Sequence, residues 1–303
     1  MAGEYTRSAQ TGAAENSISS TASARCRLCG GRADFWHRKR VLKRYEVNYY
    51  LCSGCGSLET ETPYWLDEAY NVSAIGDDLG AGQRTIDLML RTSALLDRIA
   101  LPAGAECIDF GGGIGLFTRL MRDRGFNFFC FDRYAKPFFS DRYSLTTMAA
   151  RSPEVVTAFE VMEHFPDPAQ DLQQLFEMRP AFIVATTELF TGQDASWPYL
   201  AEGTGQHVFF YSPKALAGIA GRFGYWLALV GGLIVFVGRA EIGRLGMTAD
   251  SLRNTLQTLA RDNMLMRHGL ALFVRHQRAP YEFIQREVEA ARLLSVDPAS
   301  QER

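Results

Sequence analysis

Nothing in this chain of 303 residues is apolar for long enough to cross a bilayer. The longest apolar run, Trp226 to Val237, is broken by Gly231-Gly232, which suits two strands and a tight turn. No apolar segment follows a basic start, so a secretory signal is not expected. An excess of one charge sign is missing too. The formal net charge of −2 gives no global case for nucleic acid or an anionic membrane. The first 24 residues are almost without large apolar side chains and are rich in Ser, Ala, Thr and Gly, so a disordered tail is expected. These absences point to a cytoplasmic protein without membrane insertion. Its six cysteines would then stay reduced.

What is present falls into blocks. Residues 25–62 carry two cysteine pairs, and 63–82, with Pro63, Asp77-Asp78 and several glycines, read as a linker. From 83 to 240 strands and helices alternate. Ile86, Leu88, Met89, Leu95, Leu96 and Ile99 recur at helical spacing, and Pro102 and Gly104 end that helix. Strands are expected at 105–110, Asn127–Phe131, Leu145–Met148, Glu154–Phe159 and Ala181–Thr187, with paired strands at 225–230 and 233–238. Helices are expected from Ile114 to about Arg124, from Asp167-Pro168 to about Met178, and after Ser212-Pro213. This alternation predicts an α/β, doubly wound, mostly parallel sheet covered by helices on both faces. Residues 241–303 read as a C-terminal helical appendage marked by Leu252, Leu256 and Leu259 and by Tyr281–Leu294. It would pack on the core or mediate self-association.

Ligands of such sheets bind beyond the carboxyl ends of the strands. Asp109, Asp132, Glu160 and Glu188 each stand at or just past a strand end, which makes an acidic rim. The first strand runs into Asp109-Phe110-Gly111-Gly112-Gly113-Ile114-Gly115. Glycines at 111, 113 and 115 allow positive φ and a close backbone approach to a ligand. Counting from Gly111, the sixth position is Leu116, so the dinucleotide fingerprint is absent. No Gly-Lys-Ser/Thr follows, which excludes a phosphate-binding loop of that kind. Asp132 lies 23 residues beyond Asp109, at the end of the next strand, where an acid suits a ribose diol.

Asp109, Gly111, Gly113, Gly115 and Asp132, with the stretch Phe159-Glu160-Val161-Met162-Glu163-His164-Phe165-Pro166-Asp167-Pro168, resemble the class I S-adenosylmethionine-dependent methyltransferases over roughly residues 83–240. The resemblance implies a Rossmann-like seven-stranded sheet. It also implies S-adenosyl-L-methionine as cofactor, with Asp109 beside the methionine moiety, the glycine backbone beneath the cofactor and Asp132 on the ribose hydroxyls. Glu160 belongs to the acidic rim suited to a sulfonium and an ammonium group. The third-strand position that usually carries an acid near the adenine holds Thr147-Met148-Ala149 here.

Cys26-x-x-Cys29 and Cys52-x-x-Cys55, 22 residues apart and each followed by glycine, have the spacing of a closed, tetrahedral structural zinc site. Between residues 25 and 58 eight Arg/Lys face two acids, a local charge of +6, with Phe35, Trp36, Tyr45, Tyr49 and Tyr50 interleaved. That pattern suits either nucleic acid or a plain zinc ribbon with a solvated face, and the second is favoured. A four-cysteine module before this core resembles sugar methyltransferases of deoxysugar and polysaccharide pathways and certain ribosomal-RNA guanine methyltransferases.

Two histidines are candidate bases. His164 follows the fourth strand, where the resemblance implies a loop-orienting role or direct chemistry. His207 lies in Thr204-Gly205-Gln206-His207-Val208-Phe209-Phe210-Tyr211-Ser212-Pro213, after a long loop with Trp197, Pro198 and Tyr199. A neutral imidazole there suits general-base work or a helix-orienting hydrogen bond. Glu188 would bind substrate hydroxyls or orient His207. Asn/Asp-Pro-Pro-Tyr/Phe, frequent in methyltransferases acting on amino groups, does not follow the fourth strand, and a Cys-x-x-x-Cys-x-x-Cys radical cluster is absent. The Trp197–Ser212 stretch resembles bacterial methyltransferases of glycan and surface-polysaccharide synthesis, which implies a sugar or glycan hydroxyl as acceptor. The alternatives are an RNA base methyltransferase docking through the basic module and a non-catalytic cofactor-binding protein.

Overall fold

The computed structural model describes residues 23–71, 80–148, 151–240, 242–246, 248–259 and 264–275. The N-terminal part is an antiparallel meander of β1 (Ser23–Arg25), β2 (Arg32–Val41), β3 (Tyr45–Cys52) and β4 (Leu58–Thr60). Then come α1 (Leu66–Asn71) and α2 (Ala81–Arg98). The alternating core runs β5 (Glu106–Phe110), α3 (Leu116–Arg122), β6 (Asn127–Phe131), β7 (Ser144–Leu145), β8 (Val155–Phe159), α4 (Pro168–Glu177) and β9 (Phe182–Thr186). After a long loop follow β10 (Phe209–Phe210), α5 (Pro213–Phe223), the hairpin of β11 (Tyr225–Val230) and β12 (Leu233–Gly238), α6 (Ala249–Leu259) and α7 (Met264–Arg275).

Seven strands form one sheet in the order β11-β12-β9-β8-β5-β6-β7. Pairings among β5 to β9 are parallel, and β12 runs antiparallel to β9 and β11. The expected Rossmann-like α/β sheet is therefore the one observed. β8 and β9 are apolar runs buried on both faces, as a covered parallel sheet requires. Two cores sandwich it. Leu95, Met121, Phe128, Val184 and Leu256 belong to the face carrying α2, α3 and α6. Ile108, Val156, Leu175, Leu216 and Phe236 belong to the face of α4 and α5. Local chemistry sets the helix ends. Asp167 accepts the Gln170 N–H at 3.2 Å to open α4, and Ser212 accepts the Ala215 N–H at 3.0 Å to open α5. Both helices place Pro first.

The cysteine-bearing meander is not an independent bead on this core. β10 pairs antiparallel with β4, Phe209 opposite Glu59 and Phe210 opposite Leu58, so the small sheet gains a fifth strand from the core's own loop. A third apolar cluster straddles the junction, with Val47, Tyr49 and Leu58 of the meander, Trp65 and Ala69 around α1, and Phe190, Trp197, Leu200 and Phe210. Residues 66–71, inside the stretch read as linker, are thus a packed helix, because Trp65 is 1% exposed and its Nε1–H donates to the Gly205 carbonyl at 2.8 Å. The third core strand is only two residues long, shorter than its reading from sequence. The α6 reading agrees with the observed helix, and α7 packs on α2, where a Cβ on Gly269 would collide with the Leu90 carbonyl. The helix read at Tyr281–Leu294 and residues 1–22 of the tail expected over the first 24 residues lie outside the described residues, while Ser23 and Ala24 pair with β2 as part of β1 rather than belonging to a tail. Among the described residues no helix is long and apolar enough to cross a membrane.

Ser212 joins the two sheets, capping α5 and donating to the Cys55 carbonyl at 2.5 Å. Ser212→Ala removes both bonds in a buried setting and is expected to cost about 1–2 kcal/mol. Urea unfolding checks this, and an unchanged midpoint would contradict it.

Candidate functional site

The glycine turn joins β5 to α3. Gly111, Gly113 and Gly115 have φ of 68°, 57° and 78°, the left-handed region that glycine tolerates. They are glycine for different reasons. A Cβ on Gly111 would sit 2.6 Å from Val161 Cγ2, and one on Gly115 would overlap Ser140 Oγ. A Cβ on Gly113 would meet nothing within 4 Å, so this part of the turn faces open space. Gly112 was not singled out by its spacing, yet a Cβ there would lie 2.5 Å from Asp109 Oδ2.

Asp109 lies under the turn, 2% exposed, accepting from Thr157 Oγ1 at 2.8 Å and Thr118 Oγ1 at 3.0 Å. Burial pushes its pKa up to about 7 against the lowering effect of the two threonines. Its contact is with the floor of the turn. Asp132, at the end of β6, accepts from the Gly113 N–H at 2.9 Å through one oxygen and from the Tyr134 and Ala135 N–H groups through the other. These donors orient a carboxylate beside the open face of Gly113. That combination, a glycine floor facing open space with an oriented acid at its rim, fits an S-adenosylmethionine ribose. Glu160, past the end of β8, holds a φ of 53°, an unusual value for a residue with a side chain.

A second cluster stands beside this floor. Glu163, His164 and His207 bring a carboxylate oxygen and two imidazole nitrogens within 4.8 Å of one another. His164 and His207 meet edge to face with ring centroids 5.0 Å apart. Each side chain also has one atom held by a neighbour. His207 Nδ1 lies 2.7 Å from the Tyr199 carbonyl, which can only accept, so Nδ1 carries the proton of the neutral ring and Nε2 keeps a lone pair. Glu163 Oε1 accepts from Tyr199 O–H at 2.6 Å, whereas Oε2 is buried with no partner. His164 Nδ1 pairs with Tyr70 O–H at 3.2 Å. Tyr70 stacks on Tyr134 at 4.7 Å, which ties the cluster to the strand end that holds Asp132.

Burial sets the protonation of all three. It lowers His164 to about 3, with His207 adding repulsion, and it lowers His207 despite the opposing Tyr199 carbonyl and Glu160 charge. Burial, reinforced by the Glu160 charge, pushes Glu163 up to about 8. Both imidazoles are neutral at physiological pH, and a buried polar oxygen left without a partner costs about 1–3 kcal/mol.

The loop between β9 and β10 assembles this arrangement. The Val208 N–H donates to the Glu163 carbonyl at 2.9 Å, setting His207 over the residues after β8. Glu188 is exposed, and its Oε2 accepts from Trp197 Nε1 at 3.1 Å, so the carbonyl of Tyr199 rather than Glu188 orients His207. Sequence reading had brought out His164 and His207 but not Glu163, Tyr70 or Tyr134 as site residues. The Glu-x-x-Glu-His string at 160–164 was the available signal for Glu163. Nothing local marks Tyr70, whose role arises from α1 folding back onto the core.

In the meander, Cys26 Sγ and Cys55 Sγ are 3.7 Å apart, Cys29 Sγ and Cys52 Sγ 3.5 Å, and all four sulfurs lie within 4.8 Å of one another. Bonds of about 2.3 Å to a tetrahedral ion put sulfurs roughly 3.8 Å apart, so the donor set fits zinc. Gly31 and Gly54 pass so near Cys29 and Cys52 that a Cβ on either would come within 3.3–3.6 Å of sulfur.

A family described as "Methyltransferase domain" matches residues 83–228. Solved structures of similar fold include a 1,6-didemethyltoxoflavin-N1-methyltransferase of Burkholderia thailandensis, 11% identical over 63% of this chain and 95% of that one, with a TM-score of 0.45. Magnesium protoporphyrin IX methyltransferase from Synechocystis PCC 6803 is 13% identical over 58% of this chain and 95% of that one, with a TM-score of 0.43. A methyltransferase of calicheamicin biosynthesis is 18% identical over 57% and 60%, with a TM-score of 0.38. No curated protein matches the sequence. The family match makes residues 83–228 a methyltransferase domain, and the glycine floor, the oriented Asp132 and the strand order β11-β12-β9-β8-β5-β6-β7 fit S-adenosylmethionine as its methyl donor.

Proposed function

We propose that this enzyme methylates a hydroxyl group of a small polar acceptor, a sugar or glycan unit. The observation that carries the reading is the convergence of Glu163, His164 and His207, with His207 Nε2 left as a free lone pair, next to the residues that follow β8 and pack on the glycine turn. When bound, the cofactor supplies an electrophilic methyl carbon, and the acceptor oxygen must give up its proton. Neutral imidazoles are groups that take the proton of a hydroxyl as it reacts. Gly113 and Asp132 would hold the ribose side of the cofactor. Gly111, Gly115 and Asp109 would keep the turn in shape, and Glu160 would place negative charge near the cationic end. Tyr134, 70% exposed and next to the cluster through Tyr70, offers an aromatic face suited to the C–H face of a sugar.

The basic module weighs against the RNA reading. Arg27, Arg32, Lys39, Arg40 and Arg44 are paired with Glu59, Asp34, Glu202, Glu46 and Glu68. Five of the eight positive charges counted along the sequence are therefore matched by acids, three of them from beyond residue 58. The four cysteines would hold a structural zinc that keeps the meander's end against Ser212.

Three outcomes follow. Gly113→Ala points a methyl into the open face of the turn. The left-handed backbone makes it cost about 1–2 kcal/mol of stability, while S-adenosylmethionine binding should weaken by about tenfold or more in calorimetry. His207→Ala should keep cofactor affinity within about threefold and lower methyl transfer by about 100-fold or more. The assay uses labelled cofactor against nucleotide-sugar, glycan and ribosomal-RNA pools, and transfer to RNA alone would overturn the acceptor assignment. Cys26→Ser should cost the protein one bound zinc by elemental analysis together with a fall in melting temperature.

A further inference from the structure

We infer that Glu163, His164 and His207 bind a divalent cation of the first transition row, and that this ion docks the acceptor through two adjacent hydroxyls. The inference rests on the methyl-transfer reading of the same site and supplies what that reading leaves open, the means by which the hydroxyl is held.

Four observations converge. The three donor atoms lie within 4.8 Å of one another. Bonds of about 2.0–2.2 Å place donors roughly 3 Å apart when adjacent and 4.2 Å when opposite, so small side-chain rotations close them on one ion. The outer atoms have partners: His207 Nδ1–H donates to the Tyr199 carbonyl, Glu163 Oε1 accepts from Tyr199 O–H, and His164 Nδ1 lies 3.2 Å from the Tyr70 hydroxyl oxygen, which accepts from Nδ1–H in the tautomer that frees Nε2. A metal-bound imidazole whose other nitrogen is held by a carbonyl or hydroxyl has this arrangement, and such outer partners fix the ring and its tautomer. Glu163 is 0% exposed, and its Oε2 has no hydrogen-bond partner. No Lys or Arg is recorded in an ion pair with Glu163 among the described residues, and Glu160 adds a further negative charge close by. A carboxylate oxygen buried among lone pairs lacks a positive partner, and a cation provides one.

The donor set also states which ion and which ligand. Two imidazole nitrogens and one carboxylate suit Mn2+, Fe2+ or Zn2+ better than Ca2+. Three protein donors leave open positions, unlike the closed four-cysteine site. Two neighbouring hydroxyls of a sugar or polyol fill adjacent positions as a chelate, whereas a lone alcohol or an aromatic amine does not.

The test uses the full chain with its cysteine site loaded and zinc content measured separately. Mn2+ is titrated and followed by electron paramagnetic resonance of the free ion. One Mn2+ per chain is expected at micromolar concentrations. Glu163→Gln and His207→Asn should each weaken binding at least tenfold, and Tyr199→Phe, which removes the hydroxyl from Glu163, about 10–100-fold. Cys26→Ser should leave this Mn2+ site in place. S-adenosylmethionine affinity, measured in every variant, reports that the domain is folded. A nucleotide-sugar with adjacent hydroxyls should alter the bound Mn2+ spectrum, and its deoxy analogue should not. Wild-type protein that binds no more Mn2+ than Glu163→Gln overturns the inference. If His207→Ala still abolishes transfer in that case, the methyl-transfer reading stands without the cation. Mn2+ binding without transfer to any hydroxyl acceptor would sink the reading and leave only the ion.

Discussion

Everything distinctive about this molecule hangs on one short antiparallel pairing, β10 against β4. Two residues are a small amount of sheet, yet Phe209 and Phe210 are both fully buried, each worth about 2–3 kcal/mol of apolar burial. The pairing gives the loop after β9 a fixed end. Without it the roughly twenty residues after β9 would be anchored only by Phe190, Trp197 and Leu200, and less would offset the entropy of holding His207 over Glu163. With it, Val208 is bonded on one side to the Glu163 carbonyl and on the other to Thr60. His207 has few positions left to take.

The polar cluster shows the opposite economy from the apolar cores. In the cores, burial alone stabilises. Around Glu163 and the histidines burial destabilises charge, and the chain answers with Tyr199, which bonds Glu163 through its hydroxyl and His207 through its carbonyl. One residue thereby sets the orientation of an acid and of a neutral ring. The aromatic packing of Tyr199 on His207 at 4.5 Å stiffens the same unit. A cluster organised like this is preorganised by packing.

Much of the sheet could be read directly, because strand ends carried punctuation: glycines after β5, acids after β6 and β8, Ser-Pro before α5. The cofactor turn was legible for the same reason, since spacing along one segment encodes it. Asp109 shows the limit. Its position in the pattern was plain, but that its carboxylate faces Thr118 and Thr157 under the turn depends on a residue of the neighbouring strand and one of the helix. The cluster of Glu163, His164 and His207 was half visible. His164 and His207 stood out as titratable groups, whereas Tyr70 was hidden in a stretch whose Pro, Asp and Gly content spoke for a linker. Short helices held by one buried tryptophan leave little periodicity to detect. The charge excess of the module misled in the same way, since Glu68 and Glu202 come to it from elsewhere in the chain.

Arg27 sits between the first two cysteines and spreads its guanidinium over Glu59, the carbonyls of Thr60 and Val208, and the Pro166 carbonyl in the loop after β8. A single side chain thus touches the cysteine knuckle, β4, the residue entering β10 and the loop that follows His164. Small cysteine-bound ribbons are usually regarded as interchangeable attachments that recombination can move from one enzyme to another. Here the attachment and the catalytic core share a hub, so a ribbon borrowed from elsewhere would arrive without the contacts that position His207. The two parts are bound to diverge together, and the history of one should be recorded in the sequence of the other.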